Sequence, residues 1–276
     1  MTVLEFDESV DVVVVGSGGG ALVGAYTAAR NGLETMVLES TDKFGGTTAY
    51  SGGGMWLPGN SALERGGVVE PLDDVRTYLR AVVWEASAEL QDAFLDACAP
   101  MVAFLEDDPN LKFEYRPFPD YFADAPNVRP AGRDIFPLNL QRSELGEIAE
   151  HLRPRLPTER QGAPLPEELA GGQALIARLL LALGGTETDL RLEHRMDDLI
   201  VDDSGNVVGV EVVTPQGRIR IAARVGVLLA SGGFERNQEM RDQYGVPGRV
   251  DWSMGAPGGT GRPIEAAIEA GAASSL

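Results

Sequence analysis

The sequence predicts an α/β protein that combines a parallel sheet, a β-meander and a helical, irregular insertion. A strand, glycine turn, helix and second strand in residues 11–40 predict the parallel sheet, and short apolar segments with period-two alternation in residues 190–229 predict the meander. Helical spacing followed by many prolines predicts an insertion at residues 61–170. With 43% hydrophobic residues in a chain of 276, there is ample material for a buried core.

The first strand is predicted at residues 11–15, an apolar, β-branched run typical of a strand that is buried on both faces. The turn after it fits G-x-G-x-x-G/A, in which Gly16 can make the tight turn and Gly18 lacks the Cβ that would block a pyrophosphate. Small residues over 20–30 predict a helix that lies close to the sheet and directs its N-terminal amides at a phosphate. The candidate cofactor-binding residues of this turn are Gly16, Ser17, Gly18, Gly19, Gly20 and Ala21.

The second strand, residues 35–38, ends at an acid that is a further candidate. Glu39 lies 21 residues beyond Gly18, close to the roughly 20-residue offset of the acid that binds ribose hydroxyls. A carboxylate there also disfavours a 2′-phosphate, and Ser40 follows it in the same turn. Because all of these elements occur in order, they predict a Rossmann-like dinucleotide-binding unit rather than an ordinary tight turn.

A glycine-rich segment, residues 44–56, follows where a nicotinamide-binding fold normally continues into a helix. Its amides and hydroxyls could wrap a long ligand beyond the adenosine half. A flexible loop is the alternative, but Tyr50, Met55 and Trp56 add apolar bulk that a solvated linker would not carry. The candidates here are Gly45, Gly46, Thr47, Thr48, Ser51, Gly52 and Gly53.

Two helices are predicted at the start of the insertion. The first begins near residue 71, where a proline and two acids suit an opening turn. The second begins near residue 88, places Leu90, Phe94 and Cys98 on its apolar face, and is expected to kink or divide at Pro100. Both helices are interpreted as packing elements.

The rest of the insertion is expected to be extended and irregular, because residues 116–166 contain nine of the chain's seventeen prolines. Long loops of this kind are usually functional when ordered, and disorder is the alternative. Residues 113–122 carry five aromatic side chains, which fits a wall over an apolar ligand. Tyr121, within a Pro-Asp-Tyr sequence, is either part of a site or a core tyrosine with a satisfied hydroxyl.

The last third predicts a helix and then a meander. Leucines at four-residue spacing follow the glycine pair at 171–172 and predict a core helix. Residues 199–213 predict a hairpin, and residues 219–222 and 225–229 predict two further strands. A second glycine turn, where backbone approaches another group closely, contains Ala230, Ser231, Gly232 and Gly233.

These features resemble the 3-ketosteroid Δ1-dehydrogenases of the fumarate reductase flavoprotein superfamily, most closely in residues 45–54 and 113–140. The resemblance covers nearly the whole chain but only about the first half of such an enzyme. It implies a two-dinucleotide-binding-domain fold with FAD as cofactor, and it places Met196 and the turn at 230–233 beside the nucleotide. It also implies a 3-ketosteroid or other apolar carbonyl substrate and an external electron acceptor, and for a 3-ketosteroid the C1 hydride would pass to flavin N5.

The same resemblance assigns Tyr121 a catalytic role, in which its phenol hydrogen-bonds to a second tyrosine that removes the C2 proton. It makes residues 1–276 an FAD-binding domain with a core at 8–60 and 171–276 and an insertion at 61–170. The substrate domain and the C-terminal return are expected to be absent, so the chain alone is expected to be inactive.

The sequence leaves two other functions open. A fumarate-reductase-like flavoenzyme would need arginines converging on two carboxylates, whereas residues 113–122 offer only Arg116. A dinucleotide-binding module without catalysis is the other alternative, and it is favoured by the missing C-terminal half.

Composition limits the partners. The chain has 23 basic and 42 acidic residues and a formal charge of −19, opposite to that of nucleic-acid or anionic-membrane binders. The single cysteine, Cys98, excludes an intramolecular disulfide, and His151 and His194 lie too far apart to suggest a metal site. The sequence predicts neither a membrane-spanning segment nor a signal peptide, so a cytoplasmic location is expected.

Overall fold

The structure, a computed structural model, describes residues 4–84 and 86–273; the remaining residues of the predicted 1–276 domain lie outside the described ranges. The strands are β1 (Glu8–Val15), β2 (Thr35–Leu38), β3 (Met55–Trp56), β4 (Phe113–Tyr115), β5 (Asp134–Pro137), β6 (Leu140–Gln141), β7 (Glu168–Leu169), β8 (Asp189–Arg191), β9 (Arg195–Val201), β10 (Val207–Thr214) and β11 (Gly217–Leu229). The helices are α1 (Gly19–Arg30), α2 (Ser61–Arg65), α3 (Leu72–Val82), α4 (Ala88–Glu106), α5 (Leu156–Gln161), α6 (Gly172–Gly184), α7 (Gln238–Gln243) and α8 (Arg262–Glu269). Short 3₁₀ segments occupy Gly46–Tyr50, Arg142–His151 and Val250–Trp252.

A six-stranded sheet with the order β8-β2-β1-β11-β10-β9 forms the centre of the molecule. Strands β8, β2, β1 and β11 run parallel, and β9 and β10 continue from β11 as an antiparallel meander. This confirms the predicted fold class. The two strands predicted after residue 217 are one strand, because the pairing of β1 with β11 shifts between Val10 and Val12 and so absorbs one extra residue of β11 as a bulge.

Both faces of β1 are buried, as its apolar run predicts. Val14 packs with helices α1 and α6 on one face, while Val13 and Val15 pack with the meander and α8 on the other. Gly24 allows α1 to approach the sheet closely, because a Cβ at this position would lie 2.3 Å from Leu228 Cδ2. The small-residue face predicted for this helix therefore has a direct packing role.

The insertion contributes helices α2 to α5 and small sheets with the orders β3-β5-β4 and β6-β7. The helix α4 continues through Pro100, so of the expected kink or division the division is wrong, and a kink stays a prediction. The expected apolar face is also wrong, because the buried face carries Leu95 and Cys98, whereas Leu90 and Phe94 are 67% and 41% exposed. Both faces contain Cys98 and both have helical spacing, so the periodicity alone could not decide between them.

No helix within the described ranges combines the length and the apolar character needed to cross a bilayer.

Candidate cofactor-binding site

A cleft opens where β1, β2 and β11 end. These strands are parallel neighbours, so their carboxyl ends meet at the same edge of the sheet, the usual location of ligands in such folds. The structure thereby brings together three turns that are far apart in sequence. The predicted cofactor residues that line the cleft are Gly16, Ser17, Gly18, Gly19, Gly20, Glu39, Ser40, Gly46, Thr47, Thr48, Met196, Ala230, Ser231 and Gly232.

The glycine turn after β1 has two physical roles. Gly16 has φ +106°, and a Cβ there would lie 2.5 Å from the carbonyl oxygen of Ala230, so glycine lets the turns after β1 and β11 pack together. Gly20 has open space where a Cβ would stand, which leaves the start of α1 accessible from the cleft. The turn therefore joins two strands and also exposes a helix N-terminus.

The first turn of α1 suits a phosphate group. It begins after Gly18, which has no side chain to cap the helix, and it contains Gly19, Gly20 and Ala21. The amide of Gly19 donates to Thr48 Oγ1 at 3.0 Å, so the glycine-rich segment is attached to this end of the helix. Aligned peptide dipoles and amides make such an end favourable for an anion, which fits the pyrophosphate of a dinucleotide.

Glu39 is a buried acid held in place by hydrogen bonds. It is 5% exposed, and its carboxylate accepts from the hydroxyl of Ser17 and from the amide and hydroxyl of Thr41, at 2.9 and 2.8 Å for the two Thr41 donors. The Ser17 hydroxyl in turn accepts from the amide of Gly45 at 2.9 Å. A continuous chain of hydrogen bonds thus connects the glycine-rich segment to the acid predicted to bind ribose.

Arg153 holds Thr41, one of the residues that donate to Glu39. Arg153 was not predicted from the sequence. Its side chain is 2% exposed, and its guanidinium donates to Thr41 Oγ1 at 2.6 Å and to Glu159 at 2.8 Å. Tyr50 donates to Glu159 at 2.7 Å. Burial raises the pKa of Tyr50, and the hydrogen bond to Glu159 raises it further. A raised pKa keeps the phenol protonated, which disfavours Tyr50 as a base near neutral pH.

Residues 255–263 form a further wall of the cleft. The amide of Ala256 donates to Thr47 Oγ1 at 3.0 Å, which fixes this segment to the glycine-rich segment. Arg262 donates to the carbonyl oxygen of Asp197 at 2.6 Å and pairs with Glu269, so its charge is already matched. The glycine pattern at 258–261 was the sequence signal for this wall. The lining residues that were not predicted are Val15, Leu38, Arg153, His194, Arg195, Glu235, Ala256, Gly258, Gly259, Thr260, Arg262 and Pro263.

Six predicted cofactor residues lie outside the cleft. Among them, Ser51 accepts the amide of Gly172 at 2.9 Å, and a Cβ on Gly53 would lie 2.4 Å from the backbone of Gly171. In the structure this part of the glycine-rich segment holds the start of α6. Cofactor contact stays a prediction for Ala21, Gly45, Ser51, Gly52, Gly53 and Gly233.

Tyr121 also lies outside the cleft. Its side chain is 82% exposed and meets the ring of Phe118 edge-on at 5.7 Å, so the alternative of a core tyrosine is wrong. The preceding residue, Asp120, is buried and accepts from Trp56 Nε1 at 3.0 Å and from the guanidinium of Arg133. The residue before this exposed phenol is therefore fixed by hydrogen bonds. The catalytic role of Tyr121 stays a prediction.

Arg133 fixes this loop to the insertion. Its side chain is 1% exposed and pairs with Asp120 and with Glu70, the latter through two nitrogen–oxygen contacts of 2.7 and 2.9 Å. The guanidinium also donates to the carbonyl oxygen of Asn127 at 2.7 Å and stacks over Tyr78 at 5.2 Å. The arginine thus satisfies two carboxylates at once.

The aromatic segment 113–122 is divided between core and surface. Phe113 is buried in the core, while Phe118 and Phe122 are exposed together with Tyr121. Arg116 lies 2.6 Å from the carboxylate of Glu114, so the one arginine of this segment is already paired. The surface therefore suits an apolar ligand better than a dicarboxylate.

The cleft has a volume of about 200 Å³, below the 300–1,000 Å³ typical of pockets that enclose a drug-sized ligand, so part of a dinucleotide would extend beyond it. Among the described residues, no group of three or more His, Cys, Asp and Glu side chains is arranged to hold a metal ion. His194 lies in the cleft with Nδ1 2.7 Å from the carbonyl oxygen of Leu192.

The fold defines an α/β dinucleotide-binding protein, and its cleft contains a helix N-terminus and a buried acid. The chain belongs to the FAD binding domain family, whose model matches residues 11–276, and FAD is its cofactor.

Similar proteins extend beyond the region that this chain covers. The 3-oxosteroid 1-dehydrogenase of Rhodococcus opacus is 46% identical over 252 residues, which are 91% of this chain and 49% of that protein. The structure of the 3-ketosteroid delta1-dehydrogenase of Sterolibacterium denitrificans, in complex with 1,4-androstadiene-3,17-dione, matches with a TM-score of 0.88 and 30% identity over 98% of this chain and 56% of that chain. The chain spans about half the length of the curated relatives it matches.

A flavocytochrome c3 fumarate reductase in its open conformation matches with a TM-score of 0.72 and 23% identity over 97% of this chain and 41% of that chain. This likeness shows the shared fold alone.

Proposed function

We propose that this chain is the FAD-binding part of a 3-ketosteroid Δ1-dehydrogenase, which introduces a double bond between C1 and C2 of a 3-ketosteroid. The observation that carries the proposal is the position of Tyr121, an exposed phenol among exposed aromatic rings on a loop anchored by Arg133. Similarity to the 3-oxosteroid 1-dehydrogenase of Rhodococcus opacus supports the same assignment. The proposal includes a core at 8–60 and 171–276 and an insertion at 61–170.

The residues of the cleft would hold the cofactor, which supplies the hydride acceptor when bound. The amides at the start of α1 would contact the pyrophosphate, and Glu39 would accept hydrogen bonds from ribose hydroxyls. The remaining predicted residues of the glycine-rich segment would approach the cofactor beyond its adenosine half. In this way the cleft would orient the cofactor relative to the aromatic surface.

Tyr121 would act in the removal of the C2 proton rather than in the hydride transfer. A tyrosinate base is costly near neutral pH because the free phenol has a pKa of about 10. A hydrogen bond from a second phenol stabilises the charged form, and the exposed hydroxyl of Tyr121 is available to donate one. Tyr121 would therefore support the base rather than remove the C2 proton itself.

The partners follow from the electron balance. Desaturation removes two electrons and two protons from the steroid, so a further electron acceptor must reoxidise the cofactor after each turnover. We include an external acceptor and a 3-ketosteroid as partners, and a cytoplasmic location, which agrees with a single buried cysteine and no disulfide.

The test is a chimera that joins this chain to the second half of the Rhodococcus opacus relative. Supplied with 4-androstene-3,17-dione and an electron acceptor, it is expected to form the 1,4-diene, followed by absorbance. Tyr121→Phe in the chimera is expected to reduce kcat about 10-fold or more, since it removes one hydrogen bond to a charged group.

Tyr244→Phe serves as the matched control, because it also removes one phenol, but its ring packs with Phe234 rather than with Phe118. An FAD-loaded chimera that reduces fumarate but leaves the steroid unchanged would refute the proposal. Equal rates for Tyr121→Phe and the unsubstituted chimera would show that Tyr121 has no catalytic role.

A further inference from the structure

The cleft contains a second carboxylate, Glu235, whose surroundings differ from those of Glu39. The oxygens of Glu39 already accept from Ser17 and Thr41 within the chain. Glu235 is half-buried, and within the described part of the chain its carboxylate accepts one long hydrogen bond, from the hydroxyl of Thr47 at 3.5 Å. Glu235 therefore retains more capacity to accept a hydrogen bond from a ligand.

Two glycines leave room for this carboxylate against the backbone. A Cβ on Gly255 would lie 2.1 Å from Oε1 of Glu235, and a Cβ on Gly259 would lie 2.7 Å from its Cδ. The carbonyl oxygen of Gly255 accepts from Arg160 at 3.0 Å and from Arg236 at 2.6 Å, so the backbone against the carboxylate is itself fixed. The carboxylate therefore lies against a fixed stretch of backbone that lines the cleft.

The two acids of the cleft lie on different sides of one backbone segment. A Cβ on Gly258 would lie 2.8 Å from Ser40 Oγ and 3.8 Å from Glu39 Oε1, whereas a Cβ on Gly259 would meet Glu235. The start of α1 lines the same cleft. The cleft therefore offers a phosphate-binding helix end and two acids on separate sides.

FAD has a matching arrangement of groups, because its diphosphate separates two polyols, the adenosine ribose and the ribityl chain. A carboxylate beside the diphosphate would be repelled by it, whereas a carboxylate beside a hydroxyl accepts a charge-assisted hydrogen bond. Glu39 follows the strand whose acid binds the adenosine ribose. This leaves the ribityl chain for the acid on the other side of the segment at 258–259.

We propose that Glu235 binds a ribityl hydroxyl of FAD and so recognises the flavin half of the cofactor. This contact affects FAD affinity, which is measured without steroid turnover.

The test compares FAD with ADP, which has the adenosine ribose and diphosphate but no ribityl chain. FAD affinity is measured by flavin fluorescence, and ADP affinity by competition against bound FAD. Glu235→Ala is expected to raise the Kd for FAD about 10-fold or more and to leave the inhibition constant of ADP unchanged. Glu235→Gln, which keeps an oxygen acceptor without the charge, is expected to have a smaller effect on FAD.

Two controls separate the ribityl contact from other effects. Glu239→Gln removes one charge at an exposed position of α7 and should change neither constant. Glu39→Ala should weaken both FAD and ADP. Equal weakening of FAD and ADP by Glu235→Ala, no weakening of FAD, or tighter binding of both, as expected for an acid beside the diphosphate, would each overturn the proposal.

Gly259→Ala provides a second variant that leaves the acid in the chain. Its methyl group would displace the carboxylate of Glu235, a flexible side chain that can move, so the fold should be retained. FAD binding is expected to weaken in Gly259→Ala and to weaken no further when Glu235→Ala already removes the carboxylate. Additive losses would show that the methyl group acts on the ligand directly and would contradict the proposed contact.

Discussion

Glu39 shows how one side chain can connect several parts of the cleft. Its carboxylate accepts from Ser17 in the first glycine turn and from Thr41 in the following loop, and Ser17 also accepts the amide of Gly45. Loss of the carboxylate would remove the proposed acceptor for ribose and would take from the buried Ser17 hydroxyl the acceptor to which it donates. A variant at this position should therefore affect both cofactor affinity and the order of the glycine-rich segment.

We predict that Glu39→Ala weakens FAD binding by roughly 1.5–3 kcal/mol, the range for hydrogen bonds to charged groups. Ser17→Ala should have a smaller effect, because the carboxylate remains. The measurement is the flavin absorbance of the purified protein, with the exposed Glu187→Ala as a control of equal charge change. An unchanged flavin content in Glu39→Ala would contradict the assigned site.

At the scale of elements, the loop that carries Tyr121 depends on one buried arginine in the insertion. Arg133 is paired with Asp120 and Glu70, and its removal would leave the buried carboxylate of Asp120 without its cation, while Glu70 would keep only Arg129 at 3.6 Å. Breaking a buried pair in this way costs more than the pair itself contributes, because the remaining charge stays away from water.

Arg133→Met is expected to lower the free energy of unfolding by about 3–5 kcal/mol. Urea unfolding followed by circular dichroism measures this change. Arg249→Met is the matched control, since its side chain is 70% exposed and pairs with an exposed aspartate, so its effect should be below about 1 kcal/mol. Equal effects of the two variants would show that the buried network does not hold the loop.

Helix α4 provides a second prediction at this scale, because its true buried face contains Cys98. Burial raises the pKa of the Cys98 thiol from 9.0 to about 11. The thiol should therefore stay protonated at pH 8, and iodoacetamide should modify it slowly in the folded protein and rapidly in urea, as measured by mass spectrometry.

The same shift gives a dependence of stability on pH. The pKa of Cys98 is higher in the folded state than in the unfolded state. The stabilisation of the folded state by this protonated thiol is therefore fully present below about pH 9 and is lost as the pH rises towards 11. Rapid alkylation of the folded protein at pH 8 would show that Cys98 is not on the buried face.

In the whole molecule, the aromatic surface formed by Phe118, Tyr121 and Phe122 lies outside the cofactor cleft. Glu39 and the glycine turns line the cleft, while Tyr121 is 82% exposed and outside it. Dehydrogenation requires the proton acceptor and the hydride acceptor to be held against adjacent carbons of one substrate at the same time. Among the described residues, the exposed phenol of Tyr121 does not line the cofactor cleft.

We therefore predict that the 276-residue chain binds FAD weakly and does not sustain steroid oxidation. The purified chain is incubated with excess FAD, 4-androstene-3,17-dione and an electron acceptor, and formation of the 1,4-diene is followed. Sustained turnover that disappears in Tyr121→Phe would contradict this prediction and would assign the base to another residue of the chain.

The sequence alone determined the parts of the protein whose signals are local. The first strand, the glycine turn, α1 and Glu39 follow one another within thirty residues, so strand propensity, glycine at Gly16 and the offset to the acid were enough to predict them. The meander was also predictable, because each of its strands carries a period-two pattern. Its final pair of strands proved to be one, since periodicity does not reveal a bulge.

Only the tertiary structure decided which distant residues meet. Glu235 and Arg153 reach the cleft because β11 lies beside β1 and the insertion folds back against Thr41, and no local pattern in the sequence encodes either arrangement. The buried face of α4 and the exposure of Tyr121 were settled in the same way. Local propensity depends on neighbours along the chain, whereas burial and site geometry depend on contacts between segments that only the folded chain brings together.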